Sequence, residues 1–393
     1  MWLKTLKENN KKFHFHLELT SKCNAACPHC PRFLKGLPVR EPSLNLYEMN
    51  LAAVKKWFPK DTLESVGSMN ICGNFGDPSV CKDMIEIVEY FHKTNPETNI
   101  QIRTNGGARN SSFWEKLGKL SYKSNWKIVV IFSVDGLEDT NHIYRRRVKW
   151  KNLVRNIKAF TYVGGYAAWE YLIFKHNEHQ IEEAKELKEH FRMDYISFKR
   201  PLGFENYFHQ KTQPLPVYNK EGELEYFLEP AEKWKNSDLP WDGDTSKVPE
   251  KVNNFTDSCH IDFSKLDYSN YKEVEKRDIS CKAYHSDKDE VEVYINSNGD
   301  VRPCCHTGTE LDRNNQGVEG RQLKKILSPQ EKFNLGTNKF ENIMKLLDNR
   351  FVNKWDKSHS KGRCVKCSLM CGQSSAVDSN RLYADINKIT ETI

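Results

Sequence analysis

The chain has 393 residues, with 60 Lys and Arg against 53 Asp and Glu and a net charge of +7. Only 38% of residues are hydrophobic and mean hydropathy is −0.73, with no stretch near the ~20 apolar residues of a membrane helix, so no membrane partner is expected. The lysines are scattered, which reads as a solvated surface and gives no expected nucleic-acid partner. Lys4, Lys7, Lys11 and Lys12 are not followed by an apolar signal core, so the expected location is the cytoplasm. In that reducing compartment the twelve cysteines are metal ligands before they are disulfides.

Strand patterns are expected at 13–19, 65–71, 99–104, 127–134, 168–174 and 194–199, and helices near 46–58, 80–94, 111–120, 151–162 and 178–191. The last helix carries Ile181, Ala184, Leu187 and Phe191 at helical spacing. Six β/α repeats with short loops imply a parallel sheet with right-handed crossovers. Such a sheet gathers its chemistry at the carboxyl ends of its strands.

Each of the first four strand ends carries such residues. The first runs into Cys23-Asn-Ala-Ala-Cys27-Pro-His-Cys30. Three thiolates on one loop can hold an iron–sulfur cluster while leaving one iron open, whereas four cysteines close it. Two alternatives stand beside this reading. Cys27-Pro-His-Cys30 is by itself a dithiol redox motif, though that leaves Cys23 unexplained. A half zinc site is the other, though zinc knuckles usually come as paired two-residue spacings. The second strand ends in Gly73-Asn-Phe-Gly-Asp-Pro78, a turn whose glycines permit close backbone approach. The third ends in Thr104-Asn105-Gly106 and the fourth in Ser133-Val-Asp135-Gly136.

These four elements in order resemble the radical S-adenosylmethionine (radical SAM) enzymes over roughly residues 10–200. The resemblance implies an α/β fold, a partial (β/α)6 TIM-like barrel, with a [4Fe-4S] cluster on Cys23, Cys27 and Cys30 that binds SAM. It further implies that Gly73, Phe75, Gly76 and Asp77 receive the SAM amino group, with Asp77 where Glu is commoner. Thr104, Asn105, Ser133 and Asp135 would hold ribose hydroxyls and carboxylate, and His29 would pack near the adenine. Among Arg145, Arg146 and Arg147, register with the family favours Arg146 as the partner of the SAM carboxylate.

Residues 201–258 break the alternation. They hold six of the prolines, Trp234 and Trp241, and six Lys against eleven Asp or Glu, a net of −5. An irregular insertion is expected, either a linker or a segment covering substrate. Beyond it come Cys281, a strand, the hairpin turn Asn296-Ser-Asn-Gly-Asp300, Cys304-Cys305, and Cys364, Cys367 and Cys371. Spacing alone leaves zinc and iron–sulfur equal here. The set resembles the small cysteine-rich auxiliary-cluster domains of the same family, called SPASM or twitch. That resemblance implies one auxiliary [4Fe-4S] cluster on four of five cysteines, with Cys281, Cys304, Cys364 and Cys367 leading and Cys371 the replacement for one of them. Cys259 is an extra ligand or a buried thiol, Cys305 an alternative to Cys304, and Cys72 and Cys81 small buried residues.

The expected domains are therefore a barrel at 1–200, the insertion at 201–258 and the auxiliary domain at 259–393. The expected activity is reductive cleavage of SAM to a 5′-deoxyadenosyl radical, which abstracts hydrogen in an oxidative modification of a peptide or protein. Dehydrogenation of a small molecule such as a sugar alcohol is the alternative, and a non-catalytic zinc-binding or redox scaffold is the alternative of another class. Flavodoxin or ferredoxin is the expected electron donor. No residue is singled out as a general base or radical quencher.

Overall fold

The computed structural model describes residues 11–34, 36–201, 203–206, 211–232, 275–276, 278–279, 281, 283, 290–313 and 317–371. The expected Cys259, Trp234 and Trp241 lie outside these residues. The chain divides into two compact units, one of 1–22, 43–102 and 260–393, the other of 23–42 and 103–259.

In the first unit, strands β1 (Lys12–Leu17), β2 (Val66–Ile71) and β3 (Asn99–Thr104) follow one another in parallel. On the other side of β1 lies β11 (Glu290–Ile295), parallel to it with Phe15 opposite Val293, and then antiparallel β12 (Val301–Arg302). The C-terminal segment is thus joined to the first barrel strand by a ladder. The 296–300 turn between β11 and β12 is the expected hairpin: Gly299 adopts φ +83°, and the Asp300 amide donates to Asn296 Oδ1 at 2.9 Å.

Helices α1 (Leu51–Trp57), α2 (Lys60–Glu64) and α3 (Met84–Thr94) also belong to this unit. In α3, Met84, Ile87, Val88 and Phe91 are buried at i, i+3, i+4 and i+7, so one face is apolar, while Glu86, Glu89 and Lys93 lie off it. Asn50 caps α1 by accepting from the Ala53 amide at 2.8 Å. The aromatic rings of Phe13 and Phe15 meet Phe340 at 5.0 and 5.2 Å between centroids, and Phe15 meets Phe58 at 5.7 Å. Burial of such rings is worth roughly 2–3 kcal/mol each, and it fixes which face of β1 points inward.

The second unit has β4 (Ile128–Ser133), β5 (Ala167–Leu172) and β6 (Tyr195–Lys199), consecutive and parallel, with α4 (Ser111–Lys123), α5 (Asn141–Tyr144), α6 (Trp150–Thr161) and α7 (Ile181–His190). Six strands in chain order with helices between them make this the expected α/β class, the partial (β/α)6 TIM-like fold. Within 201–232 the chain is not irregular as expected. It forms two antiparallel pairs, β7 (Glu205–Asn206) with β8 (Lys211–Thr212) and β9 (Leu215–Tyr218) with β10 (Leu224–Leu228). Pro216 sits in β9 because a two-stranded ribbon has an open edge where a missing N–H costs little. Leu215, Val217 and Leu228 bury against Phe174 and Phe204.

The first unit closes with α8 (Cys305–Asp312), α9 (Val318–Ile326), α10 (Phe340–Arg350) and α11 (Val365–Cys371). Among the described residues no helix is long and apolar enough to cross a membrane.

Candidate functional site

In the second unit the expected ligands Cys23, Cys27 and Cys30 share one loop, turned so that the Cys30 amide donates to the Cys27 carbonyl at 3.2 Å. Cys27 is buried and its neighbours are half-buried. N–H donors point at the sulfurs: the Ala25 amide lies 3.4 Å and Asn105 Nδ2 3.8 Å from Cys23 Sγ, and Arg145 Nη1 lies 3.8 Å from Cys27 Sγ. Burial, and then the proximity of Cys27, push the Cys30 thiol up to about 12. Three such thiols are costly to ionise together without a metal charge among them. This donor set fits an iron–sulfur cluster, whose sulfurs are tuned by N–H groups of this kind.

The strand-end residues cooperate with that loop. Asn105 and Asn24 exchange hydrogen bonds, Nδ2 to Oδ1, at 2.9 and 3.1 Å, which ties the end of β3 to the cysteine loop. Thr104 Oγ1 accepts from the Gly106 amide and shapes the turn. Ser133, half-buried, ends β4. Asp135 is fully buried, and its oxygens are spent on the protein: Oδ2 accepts from Arg145 Nε at 2.5 Å and Oδ1 from the Leu172 amide at 2.7 Å. Burial raises the Asp135 carboxyl above its ordinary value despite the arginine. Asp135 therefore positions Arg145 instead of presenting its oxygens to a ribose.

The arginine that meets the cysteines is Arg145. Burial opposes its charge, but Asp135 and Cys27 keep it firmly protonated. Arg146, favoured by register, turns the other way and pairs with Glu225 of β10 at 2.8 Å. Its backbone still serves the loop, the carbonyl accepting from the Ala26 amide at 2.9 Å. His29, at φ +60°, places Nε2 2.8 Å from the Pro216 carbonyl of β9.

In the first unit the 73–78 turn is organised by a residue that sequence reasoning missed. Glu18 Oε1 accepts from the Phe75 and Gly76 amides at 2.8 and 2.9 Å, and Oε2 accepts from the Tyr294 hydroxyl at 2.7 Å. Burial pushes its carboxyl up to about 7, against the lowering effect of those bonds. The signal was available, an acid at the end of an apolar strand, but its partners are 57 and 276 residues away. Gly76 is required by packing: a Cβ there would meet the Thr20 carbonyl oxygen at 1.6 Å. Gly73 packs likewise against the backbone of Gly76. Asp77, buried, caps a 3-10 turn by accepting from the Ser79 amide at 3.0 Å, and its own amide donates to the Lys22 carbonyl.

The same unit assembles the distant cysteines. Cys281, Cys304, Cys367 and Cys371 line one cavity, walled by Phe351, Trp355 and Met370 and with Lys366 beside them. Cys364 is buried and hydrogen-bonded to the Cys367 thiol; despite burial it is held below the ordinary thiol range by Cys367 and the amides of Cys367 and Lys366. Burial pushes Cys304 up to about 12. Four thiols on one cavity match the donor number of a [4Fe-4S] cluster or a zinc ion. Cys81 is buried, as expected of a small core residue, whereas Cys72 is half-buried.

The loop that follows the first strand of this parallel α/β fold carries the three cysteines. Residues 17–188 match the family described as the Radical SAM superfamily. Solved structures show looser likeness. SuiB of Streptococcus suis is 17% identical, with a TM-score of 0.46, over 78% of this chain and 64% of that one. SuiB bound to the precursor peptide SuiA is 16% identical, with a TM-score of 0.47, over 100% and 76%. Native anSMEcpe with bound AdoMet and the Cp18Cys peptide is 16% identical, with a TM-score of 0.37, over 49% and 53%. The chain aligns with about 64% of the length of the first of these relatives. Likenesses of this depth carry no functional argument. The chain matches no curated protein.

Proposed function

We propose that this chain is a radical SAM enzyme that carries out an oxidative modification of a peptide or protein, with a second cluster in the C-terminal segment. The observation that carries the reading is the three-thiol loop within the Radical SAM match, its sulfurs met by Ala25, Asn105 and Arg145. When bound, the cluster would supply the one-electron reduction by which SAM is cleaved and hydrogen is taken from substrate. Cys23, Cys27 and Cys30 hold the cluster, and Arg145 lends it positive charge. Asn105 joins the β3 end to the loop, and Thr104 and Ser133 are the proposed partners of polar groups of SAM. Glu18 shapes the 73–78 turn for the methionine amino group. Cys281, Cys304, Cys367 and Cys371, with Cys364 as the alternative member, hold the auxiliary cluster, which serves as electron acceptor or substrate anchor. A flavodoxin or ferredoxin supplies the electron. The peptide class rests on the habit of relatives with SPASM-type domains, and a small molecule such as a sugar alcohol is the second substrate class.

Anaerobic reconstitution followed by reduction with dithionite tests this. About eight iron per chain and SAM-dependent 5′-deoxyadenosine support two clusters and radical chemistry. Zinc in place of iron, with no SAM cleavage, would refute it in favour of a scaffold. Mass spectrometry of a peptide library after turnover then reads the substrate class.

A further inference from the structure

Apart from the cysteine loop and the cysteine cavity, the first unit brings His16, Glu292 and Cys305 together, with one ligand atom of each within 4.8 Å of the other two. His16 lies on β1, Glu292 on β11 and Cys305 at the start of α8. Parallel pairing puts His14 opposite Glu292 and His16 opposite Tyr294, so these side chains are diagonal neighbours across the ladder.

The imidazole is held in one orientation. Its Nε2 is 3.1 Å from the Cys72 carbonyl oxygen, and its ring stands edge-on to Tyr294, with 5.2 Å between centroids and 89° between planes. A carbonyl only accepts, so the proton of a neutral His16 sits on Nε2 and the lone pair on Nδ1. Nδ1 faces Glu292, 3.9 Å from its Oε1. A metal-binding histidine usually donates its other N–H to a carbonyl or carboxylate, and that outer bond is already made here.

We propose that His16 Nδ1, the Glu292 carboxylate and Cys305 Sγ form a site for a single divalent cation of the zinc type. Nitrogen, oxygen and sulfur donors together suit zinc over calcium or magnesium. The Cys305 thiol gives up its proton to solvent on binding, so that thiolate and carboxylate balance the charge of the ion. Tetrahedral bonds of about 2.0–2.3 Å place ligand atoms roughly 3.6 Å apart, so the His16–Glu292 pair at 3.9 Å needs little movement and no pair must close by more than about 1 Å. The fourth position is left to water. The ion joins β1, β11 and α8, stapling the C-terminal segment to the first strand. Cys305 then has a role separate from its neighbour Cys304, which faces the cysteine cavity.

The test uses the full chain, anaerobically reconstituted with iron and sulfide, incubated with zinc chloride and desalted. Elemental analysis should find one more zinc in the wild type than in Cys305→Ser or His16→Gln, with iron unchanged. Zinc absorption-edge spectroscopy should show one sulfur in its shell. Because His16 is buried, Glu292→Gln is the second variant, expected to weaken zinc retention against a chelator at least 10-fold. Equal zinc in wild type and variants, a zinc shell of four sulfurs, or loss of iron in Cys305→Ser would overturn the proposal. Iron is counted separately, so these outcomes do not depend on the radical SAM reading.

Discussion

Glu18 places a carboxyl in a fully buried position, and replacing it by glutamine reads the consequence directly. Its carboxyl titrates at about 7 in the folded chain against an ordinary 4.5. The folded state therefore binds the proton more tightly than the unfolded chain, so this group favours folding below about pH 4.5. That contribution is lost as pH rises through 7. At about 1.4 kcal/mol per pH unit, the rise amounts to roughly 3 kcal/mol by pH 8. Glutamine keeps an oxygen for the Phe75 and Gly76 amides, and the Tyr294 hydroxyl can turn to accept from its NH2 group. Glu18→Gln removes the titration without removing the bonds. Urea unfolding of both proteins at pH 5, 6, 7 and 8, followed by tryptophan fluorescence, should show the variant gaining on the wild type as pH rises. The gain should approach about 3 kcal/mol at pH 8, with little further change above. A difference constant with pH, or one that shrinks, would show that Glu18 is not held protonated by burial.

Arg145→Ala leaves the buried Asp135 without its cation and should cost about 3–5 kcal/mol, while Arg146→Ala breaks a half-exposed pair and should cost under about 1 kcal/mol. Thermal unfolding of the two variants decides the order, and a larger loss for Arg146→Ala would reverse the assignment of the arginines. Gly76→Ala sets a methyl against the Thr20 carbonyl and should destabilise by about 3 kcal/mol or fail to fold. A loss under 1 kcal/mol, measured the same way, would show that the turn has room. Cys281→Ala together with Cys304→Ala should cut the iron of reconstituted protein about in half and leave the iron of the 23–30 loop, as iron and acid-labile sulfide assays will show.

Much of the fold was legible because it is local. Alternation and helical spacing located all six barrel strands to within two residues at each end, and 99–104 without change. The helix expected at 46–58 is shorter, Leu51–Trp57, and a further helix, Lys60–Glu64, follows Pro59, which lacks the N–H to continue the first. The short pairs within 201–232 were missed because proline and acidic residues hide strands whose ladder is only two wide.

The three thiols of Cys23, Cys27 and Cys30 are a property of the sequence: their spacing on one loop sets a ligand number that no packing alters. The sequence likewise specified the order of the strand-end turns and the distant cysteines that share a cavity. What only the tertiary structure decided is which neighbour of a pair faces inward. Arg145 and Arg146, or Cys304 and Cys305, are chemically equal and adjacent, and consecutive side chains point in different directions by amounts the local backbone sets. Asp135 and Glu18 show the same limit from the other side. A carboxylate can present its oxygens to a ligand or spend them on the protein, and that choice depends on amides and side chains dozens to hundreds of residues away, which only folding brings within 3 Å.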